Sequence, residues 1–242
     1  MRRVLSKLDD LLLVVVIAGG SWWGYGQLRG AGDGAARAPV IGTQAEAQPP
    51  RPALPSAPSA AAVLETLEVK GRAPKTGYDR KAFGRGWVDV DRNGCDTRND
   101  MLRRDLTDVV VDPKTNGCVA LSGTLLDPYS GGTVVWVKGN KTSTAAQVDH
   151  VVALSDAWQK GAQEWSEDER VRFANDPRNL LVVSDTMNRQ KKDGDAATWL
   201  PPRPEYRCEY VGLQVAVKAA YRLSVTEAER TAIGRVLAGC RG

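Results

Sequence analysis

The stretch from Val148 to Lys192 constrains the fold more than any other part of the chain, because its hydrophobic period changes repeatedly within a short span. It reads VDHVVALSDAWQKGAQEW and, a few residues on, FANDPRNLLVVSDTMNRQKK. Val148, Val151 and Val152 bracket Asp149-His150 and put that dipeptide on a strand or at its end. Leu154, Ala157, Trp158, Gly161, Ala162 and Trp165 then recur at helical spacing, which predicts one amphipathic helix with its tryptophans in the core. Ser166-Glu-Asp-Glu169 is a capping signature for a second helix to about Phe173, and Asn175-Asp176-Pro177 ends it. Asn179 to Val183 suits a short strand, after which Ser184 or Asp185 caps a helix carrying Asn188, Lys191 and Lys192. The expected order is strand, helices, strand, helix. Because successive side chains of a strand face opposite ways, Asp149 and His150 serve one site only if the backbone bends there.

The remainder of the chain divides by composition. Arg2, Arg3 and Lys7 precede the apolar run Leu11 to Ala18, and Trp22, Trp23 and Tyr25 follow. Basic residues before an apolar stretch mark residues 1–29 as a signal peptide or an uncleaved signal anchor, with a buried core helix as the third reading. Asp9 and Asp10 count against export. Residues 30–73 are rich in Ala, Pro, Gly and Gln, which predicts a flexible linker with a short helix over Val63 to Val69. The folded domain is then 74–242, long enough for one sizeable core. The net charge of +4 is too small to identify a nucleic-acid partner by itself, so any such claim rests on local basic residues.

Within 74–242, Asp89-x-Asp91-x-Asn93-Gly94 superficially matches a calcium-binding loop, but Cys95 stands where a carbonyl ligand belongs and no helix precedes it. A plain Asp/Asn/Gly turn is the preferred reading. A short helix over Met101 to Leu106 carries Arg103 and Arg104, with Arg98 just before it, and these arginines are candidates for phosphate contact or for a solvated face. Strands are expected at Cys118 to Leu126 and Thr133 to Lys138, the second buried on nearly both faces through Val134 to Val137. Trp199-Leu200-Pro201-Pro202 is expected to anchor the chain on the core, and final helices are expected over Leu213 to Leu223 and Val225 to Leu237. The four cysteines, Cys95, Cys118, Cys208 and Cys240, allow three pairings. Cys95 with Cys118 and Cys208 with Cys240 is the favoured set, the first flanking the early strands and the second stapling the last helices. Zinc is the alternative, but no Cys-x-x-Cys spacing exists.

His150 is the only histidine in 242 residues. A lone histidine is more often structural, yet this one has an adjacent carboxylate and a downstream Asn-x-x-Lys. Phosphodiester hydrolysis requires a base to activate water and a cation to stabilise charge on phosphorus oxygens. Imidazole suits the first role, and oxygen ligands for a hard ion suit the second. Asp149-His150, Asn179-Leu180 and Asn188-Arg-Gln-Lys191 resemble the HNH motif of the ββα-metal nucleases, in the form with Asn at the third position. A wider match through GWVDVDRNGCDTR, LLDPYSG, NRQKKDGDAATWLPP and CEYV resembles secreted bacterial HNH endonucleases. The resemblance implies an α+β fold, with an HNH nuclease core, additional helices and a small antiparallel sheet. It makes His150 the general base, Asn179 the residue orienting its loop, and Asp149 and Asn188 ligands of a divalent metal, Mg2+ or Mn2+. Lys191, Lys192, Arg98 and Arg104 would contact the nucleic acid. The implied protein is an exported endonuclease for DNA, and for RNA as a second substrate, secreted or membrane-anchored and with no protein partner. The alternative is an inactive HNH scaffold that binds nucleic acid or the cell envelope.

Overall fold

The computed structural model describes residues 57–240. The expected signal or anchor at residues 1–29 lies outside them, and among the described residues no helix is long and apolar enough to cross a membrane. The architecture is α+β. Helix α1 (Ala57–Thr66) and α2 (Thr97–Asp105) precede strands β1 (Leu106–Val111), β2 (Ala120–Leu126), β3 (Thr133–Val137) and β4 (Ala146–His150). Helices α3 (Leu154–Gln159) and α4 (Glu167–Ala174) lead to β5 (Leu180–Ser184) and α5 (Asp185–Lys191), and α6 (Arg207–Ala220) and α7 (Glu227–Ala238) close the domain.

Strands β1, β2 and β3 form an antiparallel sheet in that order, and β4 pairs antiparallel with β5 alone. The β4–β5 pair lies between the two cores of the described domain. Leu180, Leu181, Val182 and Val183 are all buried, because β5 carries an apolar residue at each of its first four positions and both its faces are covered. Leu180 and Val182 join Val148, Trp136 and Leu102 in a core against α2 and the three-stranded sheet. Leu181 and Val183 join Tyr210, Val211 and Ile233 in a second core built on α6 and α7. The register is continuous to the end of β4, with Asp149 opposite Leu181 and His150 opposite Leu180. Asp149 therefore points to the α6 side and His150 to the α2 side.

Capping accounts for where the helices begin. Ser166 accepts from Glu169 N, Ser184 from Met187 N and Thr226 from Glu229 N, each satisfying an amide that has no intrahelical partner. Both expected disulfides are present: Cys95–Cys118 ties α2's approach to the start of β2, and Cys208–Cys240 ties α6 to the end of α7. Trp199 packs edge-on against Tyr129 and Tyr210, anchoring the chain after α5.

Four local readings are corrected. The helix expected at Val63 to Val69 runs instead from Ala57 to Thr66, and Ala60, Leu64 and Leu67 are buried against the α6–α7 core, so the residues from 57 on belong to the domain rather than to a linker. Helix α3 stops at Gln159 because Gly161 adopts φ +136, where a longer helix through Trp165 cannot continue. Leu106, expected to end the preceding helix, and Thr107 to Val111, unassigned in the sequence, form β1. On β3 only Trp136 is buried, while Val135 is 73% exposed, since the three-stranded sheet is covered on one face. The loop from Asp89 to Cys95 is the expected turn: Asp89 accepts from Asn93 N and Gly94 N, and Asn93 accepts from Cys95 N.

Candidate active site

The side chain of His150 is buried and held from two directions. Its Nε2 lies 2.9 Å from the carbonyl oxygen of Ala174, the last residue of α4. That carbonyl is one of the helix-end acceptors left without an intrahelical partner, so the contact fixes the proton on Nε2 and leaves the lone pair on Nδ1. Trp87 stacks on the imidazole with 5.8 Å between centroids and 10° between planes. Burial, reinforced by the positive charges of Arg80 and Lys191 and opposed by the Ala174 hydrogen bond, pushes the imidazole pKa down to about 3. The ring is neutral at physiological pH, the form that accepts a proton.

The loop after His150 is pinned by Asn179. Its Oδ1 accepts from Val152 N at 2.8 Å, its Nδ2 donates to Val152 O at 3.3 Å, and its backbone carbonyl accepts from Val151 N. Asn179 is fully buried, so these bonds operate away from water and fix the bend that follows the histidine.

Asp149 lies on the other face of β4: the register runs unbroken through both residues, so the bend expected at the dipeptide is absent and the backbone turns only after His150, where Asn179 holds it. Lys191 Nζ reaches its Oδ1 at 3.0 Å and the backbone oxygen of His150 at 2.7 Å, while Tyr129 donates its hydroxyl to Oδ2 at 2.7 Å. Asn188 stands one turn before Lys191 on α5, half-buried, with its amide making no hydrogen bond among the described residues. The residue types fit a hard divalent ion: one carboxylate and one amide carbonyl, with water and substrate oxygens completing the shell, is the sparse protein set that magnesium accepts. Each carboxylate oxygen has a second lone pair beyond the one engaged by Lys191 or Tyr129. Among the described residues, no group of three or more acidic, histidine or cysteine side chains converges as a metal cluster.

The expected nucleic-acid contacts separate. Lys191 has its ammonium buried in the Asp149 pair and is not available to a phosphate. Arg104 is also buried and holds Asp105, Pro177 O and Leu180 O, fastening α2 to the turn before β5. Both were candidates because a basic residue near a motif reads as solvent-facing until its partner is known. Arg98 is half-buried and Lys192 is exposed. Sequence reasoning missed Trp87, Tyr129 and Arg80. The first two sit in the quoted segments GWVDV and DPYSG, where a tryptophan and a tyrosine among turn formers were the available signal.

Fold and site together define a disulfide-braced α+β domain organised around a strand–helix–strand–helix unit that presents one neutral histidine. The chain belongs to the family described as GmrSD restriction endonucleases, C-terminal domain, whose profile matches residues 96–236. It is also 39% identical over 203 residues to an uncharacterized secreted protein of Arthroderma benhamiae, covering 83% of this chain and 94% of that one. A fungal relative widens the expected bacterial family. No solved structure matches the chain.

Proposed function

We propose that the domain is an exported endonuclease of HNH type that hydrolyses phosphodiester bonds of DNA, with RNA as a second substrate, and has little sequence preference. The observation that carries this reading is the tautomer of His150: Nε2 is committed to Ala174 O, and the free lone pair lies on Nδ1 of a neutral ring. Two antiparallel strands followed by a helix, with Asp149-His150 on the first strand and Asn188 on the helix, support the HNH reading. Membership in a restriction endonuclease domain family supports the substrate class, and the secreted relative supports export.

In this reaction His150 Nδ1 takes a proton from water as the water oxygen bonds to phosphorus, and one ester P–O bond breaks. The departing oxygen is protonated from solvent, giving a phosphate monoester and a free hydroxyl. Trp87 and Asn179 hold the base: the indole limits ring rotation, and the amide fixes the loop behind it. Asp149 and Asn188 would hold a divalent ion, which when bound would supply positive charge at the end of β4 from the face opposite the imidazole. The approaching phosphate anion opposes the fields of Arg80 and Lys191 and raises the proton affinity of Nδ1.

The test is nicking of supercoiled plasmid by the purified chain with magnesium, manganese or EDTA, beside His150→Ala and Asp149→Ala. Cleavage that needs metal and disappears in both variants is expected. A folded wild-type protein that leaves plasmid, linear DNA and RNA intact with every metal refutes the proposal and favours the binding scaffold.

A further inference from the structure

The cavity that His150 lines has a volume of about 130 Å³, and its other lining residues are Arg80, Phe83, Gly84, Gly86, Trp87, Leu154 and Ala174. At roughly 30 Å³ per water, that is the scale of a phosphate group with its attacking water. Most of the wall comes from the segment 80–87, which lies before the family match beginning at residue 96. This segment is rigidly seated. Phe83 is buried against Phe173 and Trp158, Arg170 donates to Ala82 O, and Asp79 caps the turn by accepting from Lys81 N. Gly86 has φ +144 with open space where a Cβ would stand, so the backbone is left bare at the cavity rim.

Arg80 is the unspent charge in this wall. Its guanidinium makes no hydrogen bond or ion pair among the described residues, whereas Arg72, Arg104, Arg170 and Arg178 are each engaged by carboxylates or carbonyls. It is exposed, yet its position is set by the buried Phe83 three residues on. We propose that Arg80 binds the scissile phosphate, its planar fork meeting the non-bridging oxygens across the cavity from His150. This rests on the nuclease reading for its substrate. A guanidinium there adds directed donors where charge grows during hydrolysis, a contribution that Lys191, locked on Asp149, does not make.

The single histidine makes the test direct. The metal-free full chain in EDTA is titrated with thymidylyl-(3′→5′)-thymidine while the His150 ring signals are followed by 1H–15N NMR. Wild type should show one saturable shift, Arg80→Gln should weaken the Kd at least tenfold, and Arg80→Lys should fall between. Plasmid nicking by Arg80→Gln should be about 100-fold slower, the usual loss for one such donor. A Kd for Arg80→Gln within twofold of wild type overturns the proposal whatever the rate does. The two readings fail separately: a wild type that nicks nothing refutes hydrolysis, but a Kd lost with Arg80 still supports the phosphate site.

Discussion

Lys191→Met separates two uses of one lysine. By sequence Lys191 is a phosphate contact; in the fold its ammonium is buried between Asp149 Oδ1 and His150 O. Methionine keeps most of the volume and removes the charge, leaving Asp149 buried with Tyr129 as its remaining partner among the described residues. Removing one member of a buried pair costs about 3–5 kcal/mol, because the surviving charge is left uncompensated. For a domain of this size each kcal/mol moves the melting temperature by about 2–4 °C, so a fall of about 6–20 °C is expected. The assay is thermal unfolding with disulfides intact, repeated on Asp149→Asn and on the double variant. The double variant should be more stable than the sum of the single losses predicts, since the neutral amide no longer needs a cation. A Lys191→Met melting temperature within 2 °C of wild type, together with weakened DNA binding and a shallower salt dependence, would refute the buried pair and restore the phosphate contact.

Asn179→Ala should lower kcat while leaving DNA affinity near wild type, and destabilise by about 1–3 kcal/mol through the buried Val152 amide it abandons; unchanged kcat in a folded variant would remove its orienting role. Asn188→Ala should raise the metal concentration giving half-maximal nicking, and an identical metal titration would exclude it as a ligand. Replacing Cys208 and Cys240 by Ser opens a separation of 32 residues. By the chain-entropy estimate this costs about 3.7 kcal/mol, which urea unfolding would read as a lower midpoint. Lys160 and Lys218 are buried among Asp156, Asp195 and Glu229, with Arg72 at the edge. Burial alone pushes Asp156 and Asp195 up, but these cations leave both below the usual carboxylate range. Their folded pKa values lie below the unfolded ones, so the stability they add is present above about pH 4 and is lost as pH falls through the folded values. A urea midpoint that stays flat from pH 7 to pH 3 would contradict this sign.

What the sequence made legible was local chemistry. Ser166, Ser184 and Thr226 announce helix starts because a short oxygen followed by a helical pattern has one economical use, and Asp176-Pro177 announces a stop. The strand β5 is readable because Leu180 to Val183 are apolar without interruption. Strand β1 is not, since Asp108 adopts φ +51 and the pairing with β2 slips between Thr107 and Val110, breaking the alternation that marks a half-buried strand. The Ala/Pro-rich composition before residue 74 hid Ala60, Leu64 and Leu67, whose helical spacing becomes meaningful only once α6 and α7 provide a surface. Partners were the least legible part. Nothing near Lys191 indicates that its charge belongs to Asp149, 42 residues away, or that Tyr129 takes the other oxygen.

The same limit explains how a buried histidine is made useful. Burial alone would favour neutral imidazole in either tautomer and would orient neither nitrogen. The inserted helix α4 resolves this by ending at Ala174, whose unpaired carbonyl needs a donor as much as the ring needs an acceptor. Asn175 and Asp176 make that ending reliable: Asn175 amide closes on Val171 O and Arg172 O, and Asp176 accepts from Arg178 N and from the Tyr221 hydroxyl. The turn they build delivers Asn179 to Val152 on the opposite side of the histidine loop. One helix terminus thus selects the tautomer and the turn after it fixes the backbone, so residues 167–179 act as the frame of His150. Substitutions that lengthen α4 past Ala174 should therefore cost activity before they cost stability, because a continued helix would claim the carbonyl that holds Nε2.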